Sequence, residues 1–254
     1  MTKIYCFSGT GNSLWSAKKI KEAIGGESEI INIGSEVSKS EIKIEADTVI
    51  FVFPSYAYGL PMAVHRFAKK AEIKAGYIAA FVTYGTSPRG TLGELSRILK
   101  KKYSGPSYFG RIPAVENYIA IFGPPSEKTL ERRLAMQKEA TEEAVRAVIE
   151  KRKNSVSTWS PFSSFVSALF SLGVKVFYNF YRVSGDCNGC EICAKICPVS
   201  AITMKDGRPV FSGKCEHCQA CINLCPVRAI LFGRIKASMP TYHHPEISSS
   251  DLVR

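Results

Sequence analysis

The sequence lacks the features that mark exported or membrane-spanning proteins. Its most apolar stretch, residues 162–181, is interrupted by serines and by Lys175, whereas a span needs about 20 predominantly apolar residues. The first residues, MTKIYCF, contain no basic segment, apolar segment and cleavage site, so no secretory signal is expected. We therefore expect a cytoplasmic location, in which disulfide frameworks are rare.

Acidic residues are also scarce. The 254 residues include 22 aspartates and glutamates against 34 lysines and arginines, which gives a formal net charge of +12. An excess of basic over acidic residues favours partners with acidic surfaces. Nucleic acid is not expected, because the charge is spread along the chain and no recognition motif accompanies it. The abundant feature is cysteine, since eight of the nine cysteines fall between Cys187 and Cys225.

Short apolar runs alternate with helix-like segments over the first 120 residues. Several runs are continuous and rich in Ile, Val and Phe, which is typical of strands buried on both faces. The predicted strands are residues 4–7, 30–33, 49–53, 78–82 and 107–113. The predicted helices are residues 12–24, 62–71 and 91–103, and a long helix capped by Ser126 that runs to about residue 153. This alternation predicts an α/β fold with a doubly wound, parallel, five-stranded sheet.

Changes in composition divide the chain further. The expected units are a first domain at 1–153, an amphipathic helical linker at 154–185, a small domain at 186–232 and a polar tail at 233–254. Apolar positions of the linker follow three- and four-residue steps from Phe162 to Tyr181. A helix that packs one domain against the other is favoured. A helix in peripheral contact with a membrane surface stays open, because residues 151–153, Lys175 and Arg182 are basic.

Residues 186–232 contain an internal repeat. CNGCEICAKICPVSAI, from Cys187, recurs as CEHCQACINLCPVRAI, from Cys215, and each copy has the spacing C-x2-C-x2-C-x3-C-P. Three cysteines at three-residue steps suit three irons of one 4Fe-4S cluster, and the fourth reaches the other cluster. The predicted ligand sets are Cys187, Cys190, Cys193 and Cys225 for one cluster, and Cys215, Cys218, Cys221 and Cys197 for the other.

Zinc and disulfides are the alternatives to this assignment. Zinc would leave the third cysteine and the proline of each copy unexplained, and disulfides need an oxidising compartment. His217 is expected to face solvent, because each cluster already has four thiolates. Residues 205–209 predict a hairpin turn, and Cys6 is expected to be a buried strand cysteine.

A turn rich in glycine and hydroxyl groups follows the first predicted strand. It consists of Ser8, Gly9, Thr10, Gly11, Asn12 and Ser13. Backbone N–H groups and the dipole of the next helix favour an anion here. The turn lacks the lysine of a Walker A motif, and Leu14 replaces the last glycine of the dinucleotide fingerprint. The remaining interpretations are a phosphate monoester site and a tight turn without a ligand.

Two further loops follow the third and fourth predicted strands. Their candidate residues are Ser55, Tyr56, Tyr58 and Gly59, and Tyr84, Gly85 and Thr86. In a doubly wound sheet, ligands bind at the carboxyl ends of the strands, so these loops should lie beside the phosphate turn. Aromatic side chains and backbone amides suit a flat, apolar ring. The alternative is that these tyrosines belong to the core or to an interface.

The motifs SGTGNS, PSYAYGLP and YGTSPRG resemble those of flavodoxin over roughly residues 1–150. The C-terminal part resembles two-cluster bacterial ferredoxin, and the whole chain resembles flavodoxin–ferredoxin fusion proteins of anaerobic microbes. The resemblance implies a flavodoxin-like domain, then a small α+β ferredoxin domain, with FMN and two 4Fe-4S clusters as cofactors. The FMN phosphate would lie on the turn at residues 8–13, and its ring would lie between residues 56–59 and 84–86.

These cofactors imply an electron-transfer protein. A flavin takes two electrons and releases them singly, and each cluster takes one. Redox partners with acidic docking surfaces are expected, because about +10 of the charge belongs to the first 185 residues, although flavodoxins are usually acidic. Two alternatives stay open: an FMN-dependent reductase of a quinone or nicotinamide, and a flavin-free protein with a structural flavodoxin-like domain. The reductase ranks lower because no proton-transfer pair is visible.

Overall fold

A computed structural model describes residues 1–103, 105–156 and 160–253. Its N-terminal part is a sheet of five parallel strands in the order β2-β1-β3-β4-β5. The strands are β1 (Thr2–Cys6), β2 (Ser28–Asn32), β3 (Lys43–Pro54), β4 (Glu72–Tyr84) and β5 (Tyr108–Pro113). The predicted doubly wound parallel sheet is confirmed. Its strand order is the flavodoxin-like one, which places a ligand where the order reverses between β1 and β3.

Helices cover both faces of this sheet. They are α1 (Asn12–Ile24), α2 (Ile33–Glu36), α3 (Met62–Lys70), α4 (Thr91–Lys100), α5 (Ile119–Phe122) and α6 (Glu127–Ile149). One buried cluster joins Ile20 of α1 and Val148 of α6 to the sheet, and the other joins Phe67 of α3 and Leu95 of α4. The Ser126 side chain accepts a hydrogen bond from the N–H of Thr129 and caps α6, as predicted.

β3 and β4 are longer than their apolar runs indicate. The runs predict strands at residues 49–53 and 78–82, but the strands begin at Lys43 and Glu72. In their first halves, buried and exposed residues alternate, because one face of this end of the sheet is open to solvent. A continuous apolar run therefore marks only the half of each strand that is buried on both faces.

Helix α7 (Pro161–Phe177) contacts both parts of the chain. A Cβ added at Gly90 would lie 2.9 Å from Cβ of Ser163, and one added at Gly59 would lie 1.9 Å from Oγ of Ser167. The helix therefore packs closely on the sheet domain through its serines. At its other end, the ring of Phe177 lies 6.2 Å from that of Phe232 in the C-terminal part.

The opposite face of α7 is exposed. The apolar positions at Phe165, Leu169, Val176 and Phe180 remain 51–68% exposed, so these side chains do not form the contacts of α7 with the rest of the chain. Within the described residues, the stretch Pro161–Phe180 is one helix that is long and apolar enough to cross a membrane, judged by length and composition only.

The C-terminal part is a small α+β domain. β6 (Tyr181–Val183) pairs antiparallel with β9 (Ile230–Phe232), and β7 (Ile202–Lys205) pairs antiparallel with β8 (Arg208–Phe211). Two short helices, α8 (Ile192–Lys195) and α9 (Ala220–Asn223), complete it. Asp206 and Gly207 form the predicted hairpin turn, and their positive φ values of 49° and 72° suit a two-residue connection.

The polar tail wraps back over the N-terminal part and ends in α10 (Ser249–Leu252). The N–H of His244 donates a hydrogen bond of 2.8 Å to the carbonyl oxygen of Thr10, and the His244 ring stacks on Trp15 at 4.8 Å. Trp15, Leu224 and Ile247 belong to one buried cluster. The tail therefore joins the start of α1 to the C-terminal domain.

The sheet core offers a direct test of stability. Phe51 of β3 is fully buried and contacts the rings of Tyr5 and Phe67. Phe51→Ala should lower the free energy of unfolding by about 3–5 kcal/mol, through lost burial and the cavity left behind. Phe162→Ala is the matched control, because that ring is 56% exposed. Urea denaturation followed by circular dichroism measures both. Equal losses in the two variants would contradict this packing.

Candidate cofactor sites

Most of the predicted ligand-binding residues line a single cavity at the carboxyl edge of the sheet. Its volume is about 380 Å³, within the usual range of small-molecule pockets. The predicted residues in its wall are Ser8, Gly9, Thr10, Asn12, Ser13, Ser55, Tyr56, Tyr58, Tyr84, Gly85 and Thr86. The three loops that the sequence singled out thus meet at one site, which we call the edge cavity.

The turn at residues 8–13 presents unused hydrogen-bond donors. Within residues 1–103, 105–156 and 160–253, the backbone N–H groups of four residues of the turn have no hydrogen-bond acceptor: Gly9, Thr10, Asn12 and Ser13. The side chains of Thr10 and Ser13 are buried, and α1 begins at Asn12. Buried N–H groups are normally paired, and donors at a helix N-terminus favour an anion. This turn therefore fits a phosphate group.

The hydroxyl groups of the turn are held by neighbouring strands and loops. Oγ of Ser13 lies 2.7 Å from Oγ1 of Thr83, and Nδ2 of Asn117 donates to Oγ1 of Thr10 at 2.9 Å. Nδ2 of Asn12 donates to the carbonyl oxygen of Val115 at 2.9 Å. These bonds fix the turn in shape while its N–H groups stay available to a ligand.

Tyr56 and Tyr58, two of the tyrosines that line the edge cavity, differ in their surroundings. The hydroxyl oxygen of Tyr56 is buried and has no hydrogen-bond partner in the described part of the chain. Burial raises the pKa of Tyr56 well above its ordinary value, so the group stays a neutral donor. The ring of Tyr58 lies under the guanidinium of Arg89, 5.3 Å from its centroid. The unpaired Tyr56 hydroxyl indicates that a polar group of a ligand belongs beside it.

Two predicted binding residues lie outside the cavity wall. Gly11, with φ of 97°, faces the tail, and a Cβ there would lie 2.9 Å from Cβ of Ile247. Gly59 exchanges two backbone hydrogen bonds with Tyr56 and packs against α7. These two glycines shape the loops, and the cavity is lined by their neighbours.

One wall of the edge cavity was not predicted from the sequence. Residues 114–118 follow β5 and line the cavity together with Ile121 and Phe122 of α5. The signal was available, because the carboxyl end of a fifth parallel strand must reach the same edge. This loop has none of the glycine and hydroxyl clustering that marks the other three. Val166, Phe170 and Phe177 of α7 supply a further apolar wall.

The cysteines group as the two predicted ligand sets. The thiols of Cys225, Cys190 and Cys187 lie close enough to Cys193 to interact with it electrostatically. Cys221 interacts in the same way with Cys218, Cys215 and Cys197, and also with Cys193 of the first set. The first set also lines a cavity of its own, of about 20 Å³. Burial raises the pKa of the Cys193 and Cys215 thiols to about 11, so an iron cluster would have to stabilise their thiolates.

A single metal ion does not fit these cysteines. In the part of the chain that the structure describes, no three His, Cys, Asp or Glu side chains converge closely enough to hold one ion. The ligands of a four-iron cluster stand farther apart than those of one tetrahedral ion. The spacing of the cysteines is the feature that favours clusters over zinc.

The internal repeat extends to the backbone. Left-handed residues recur 28 positions apart: Gly189 with His217, Glu191 with Gln219, and Ser200 with Arg228. The N–H of Ala201 donates to Sγ of Cys197 at 3.2 Å, and the N–H of Ala229 donates to Sγ of Cys225 at 3.3 Å. Hydrogen bonds to ligand sulfurs are one means by which a protein sets the reduction potential of a cluster.

His217 does not face solvent, and that prediction was wrong. The residue is 3% exposed, and its two ring nitrogens each lie 2.9 Å from a hydroxyl, of Tyr118 and Tyr181. Phe177 and Phe232 cover its ring at 5.2 and 4.5 Å. Burial lowers the pKa of His217 to about 4, so the ring is neutral near pH 7. Tyr181 and Phe232 were not recognisable as its neighbours, because they are distant in sequence.

The edge cavity and the second cysteine set touch each other. Cys218 lines the cavity, and a Cβ added at Gly9 would lie 2.8 Å from its carbonyl oxygen. Nδ2 of Asn117 also donates to that carbonyl oxygen at 3.4 Å. An ion pair of 2.9 Å between Arg66 and Glu216 fastens α3 to the same cysteine loop. The phosphate turn and the cysteine loop are therefore packed backbone against backbone.

The ligand sets predict a specific loss of iron. Cys190→Ala should remove about half of the bound iron and destabilise the C-terminal domain, because one cluster loses a thiolate. Cys6→Ala is the matched control, since Cys6 lies outside both ligand sets and is buried in β1. Iron per chain after anaerobic purification measures both. Iron unchanged by Cys190→Ala, or lost equally from both variants, would contradict the assignment.

Comparison with known proteins agrees with this division of the chain. Residues 186–229 match the family model of the 4Fe-4S dicluster domain. No curated protein matches the sequence significantly. Similar solved structures include the two-electron reduced flavodoxin of Megasphaera elsdenii, with 17% identity over 58% of this chain and 100% of that one, and a TM-score of 0.36.

Two further solved structures have comparable similarity. A flavodoxin from the domain Archaea has 16% identity over 57% of this chain and 99% of that one, with a TM-score of 0.34. The Trp repressor binding protein from Bacillus subtilis has 9% identity over 56% and 96%, with a TM-score of 0.36. At these values the strand order, and not the similarity, establishes the flavodoxin-like topology. The chain thus combines a sheet domain of flavodoxin-like topology with a C-terminal segment that matches the 4Fe-4S dicluster domain.

Proposed function

We propose that this protein carries electrons between FMN, bound in the edge cavity, and two 4Fe-4S clusters. The observation that carries the proposal is the position of Cys218, which belongs to one ligand set and also lines the cavity. A flavin exchanges electrons in pairs or singly, whereas a cluster exchanges one at a time. The shared residue leaves no intervening protein layer between the two kinds of site.

The edge cavity supports FMN in particular. The free N–H groups of residues 9–13 suit a terminal phosphate, and no lysine or arginine of the turn is placed for a longer phosphate chain. Tyr58 and Tyr84 supply aromatic surface for a flat ring, and the Tyr56 hydroxyl would donate to a polar atom of that ring. A flavin-free protein would leave the buried Tyr56 hydroxyl without a partner among the described residues.

The two cysteine sets have different positions on this path. The set with Cys215, Cys218, Cys221 and Cys197 adjoins the edge cavity, and we call its cluster proximal. The set that contains Cys190 holds the distal cluster, and Cys190 is exposed. Cys193 of the distal set is an electrostatic neighbour of Cys221 of the proximal set. Electrons would therefore leave or enter the protein beside Cys190.

A reductase is the second candidate, and the shape of the edge cavity favours it over other enzymes. Ile121, Phe122, Val166 and Phe170 extend the cavity with apolar side chains beyond the three loops. Such a wall would suit a flat apolar substrate, such as a quinone, next to the flavin. Turnover of a soluble quinone at the rate of flavin reoxidation would establish this activity.

Gly9→Ala tests the contact on which electron transfer depends. The added Cβ would meet the backbone of Cys218, and overpacking of this kind costs about 1–3 kcal/mol. We expect FMN affinity to fall about tenfold, and electron transfer from FMN to the clusters to slow. Fluorescence titration with FMN and anaerobic stopped-flow absorbance measure the two effects.

Gly185→Ala is the matched control for this test. A Cβ there would meet no atom of the described residues within 4 Å, so FMN affinity and the rate of electron transfer should stay unchanged. Iron content is measured in both variants, which separates a lost contact from a lost cluster. If Gly9→Ala binds FMN and reduces the clusters as the wild type does, the proposed path is wrong.

The charge of the protein predicts how it meets partners. A net charge of +12 should attract acidic redox proteins. The reaction with a small anionic oxidant is a simple probe of this attraction. Oxidation of the reduced protein by anionic ferricyanide should slow as ionic strength rises, and oxidation by a cationic ruthenium hexaammine should not. Stopped-flow rates at several salt concentrations measure this. The same dependence for both oxidants would contradict electrostatic steering.

A further inference from the structure

Six large apolar side chains form a continuous stripe on the outer face of α7 and the turn that follows it. They are Phe162, Phe165, Leu169, Leu172, Val176 and Phe180, and they are 51–68% exposed. Their spacing alternates between three and four residues over about 25 Å of helix. Contiguous exposed apolar surface of this kind marks an interaction site in a folded protein.

A second exposed apolar element, α5, lines the same cavity as α7. Ile121 and Phe122 of α5 are 69% and 58% exposed, and they line the mouth of the edge cavity together with Val166 and Phe170 of α7. The opposite face of α7 is already occupied, because Ser163 and Ser167 pack on Gly90 and Gly59. The helix is therefore held flat on the sheet domain with its apolar side outward.

The charged side chains of the segment that carries the stripe are all positive. Residues 154–185 contain no aspartate or glutamate. Lys175 is exposed on α7 itself, Arg182 is exposed just after it, and the guanidinium of Arg89 lies 5.5 Å from the ring centroid of Phe162. Lys151 does not contribute, because it lies beside Asp47 and Lys74 at the opposite edge of the sheet.

We propose that α7 lies on the surface of an anionic lipid bilayer, with the stripe inserted among the lipid headgroups. A helix of this kind has an apolar face for the acyl boundary and cations for the lipid phosphates. A second copy of the chain fits less well. If two copies packed stripe against stripe, the cations of one helix would face those of the other, and residues 154–185 offer no acidic side chain to pair with them. A spanning helix would have to abandon the contacts at Gly59 and Gly90.

Vesicle co-sedimentation of the full chain with its cofactors tests this proposal. The vesicles contain phosphatidylcholine alone or phosphatidylcholine mixed with phosphatidylglycerol. Leu169→Gln/Leu172→Gln removes two members of the stripe and keeps good helix formers in place. Ile149→Gln is the matched control, because Ile149 is 58% exposed at the end of α6, outside the stripe. Lys175→Gln tests the charge.

The expected result is binding to the mixed vesicles that exceeds binding to phosphatidylcholine alone. The double variant should bind at least about tenfold more weakly, Lys175→Gln should lose part of the preference for anionic lipid, and Ile149→Gln should bind as the wild type. Flavin and iron contents, measured in each variant, should be unchanged, so failure here is distinguishable from failure of the proposed electron transfer.

Three results would overturn the proposal. The first is that the protein binds neither kind of vesicle. If the protein is then a dimer in analytical ultracentrifugation and the double variant is a monomer, the stripe is an interface between two copies of the chain. The second is equal binding by the double variant and the wild type. The third is association that resists an alkaline carbonate wash, which would indicate a spanning helix.

Discussion

The close approach of Gly9 to Cys218 is the constraint on which the rest of the structure depends. Two loops, the turn at residues 8–13 and the cysteine loop that contains Cys218, meet here backbone against backbone. Only glycine at position 9 allows this approach. The consequence is that a cofactor in the edge cavity and the proximal cysteine set share a wall, which a flexible linker between two independent domains would not provide.

Other elements hold these two loops in place. Asn117 donates to both loops, through Oγ1 of Thr10 and the carbonyl oxygen of Cys218, and Nδ2 of Asn223 in turn donates to the carbonyl oxygen of Asn117 at 3.3 Å. Asn223 also accepts from the N–H of Tyr242, whose hydroxyl donates to Oδ1 of Asn12 at 2.6 Å. The tail thus closes a hydrogen-bonded circuit around the junction, while α7 covers the other side of the cavity.

The features that could be predicted from the sequence are those determined by residues close together in the chain. Ile, Val and Phe runs such as residues 49–53 form buried strands in almost any context, and cluster geometry dictates the cysteine spacing. The burial of His217 depends on rings that are distant in the chain, so no local pattern reveals it. The sequence leaves open what covers the apolar stripe of α7, because three- and four-residue steps have the same signature whether protein, lipid or solvent covers them. The pairing of Tyr242 with Asn12 is equally non-local.

The most direct test of the central claim is the cofactor content of the anaerobically purified protein, counted as iron, acid-labile sulfide and released flavin per chain. The account predicts about eight iron, about eight sulfide and about one FMN. Eight iron without flavin would leave the ferredoxin-type domain standing and would contradict the role of residues 8–13 as a phosphate site. Zinc in place of iron would contradict the cluster assignment itself.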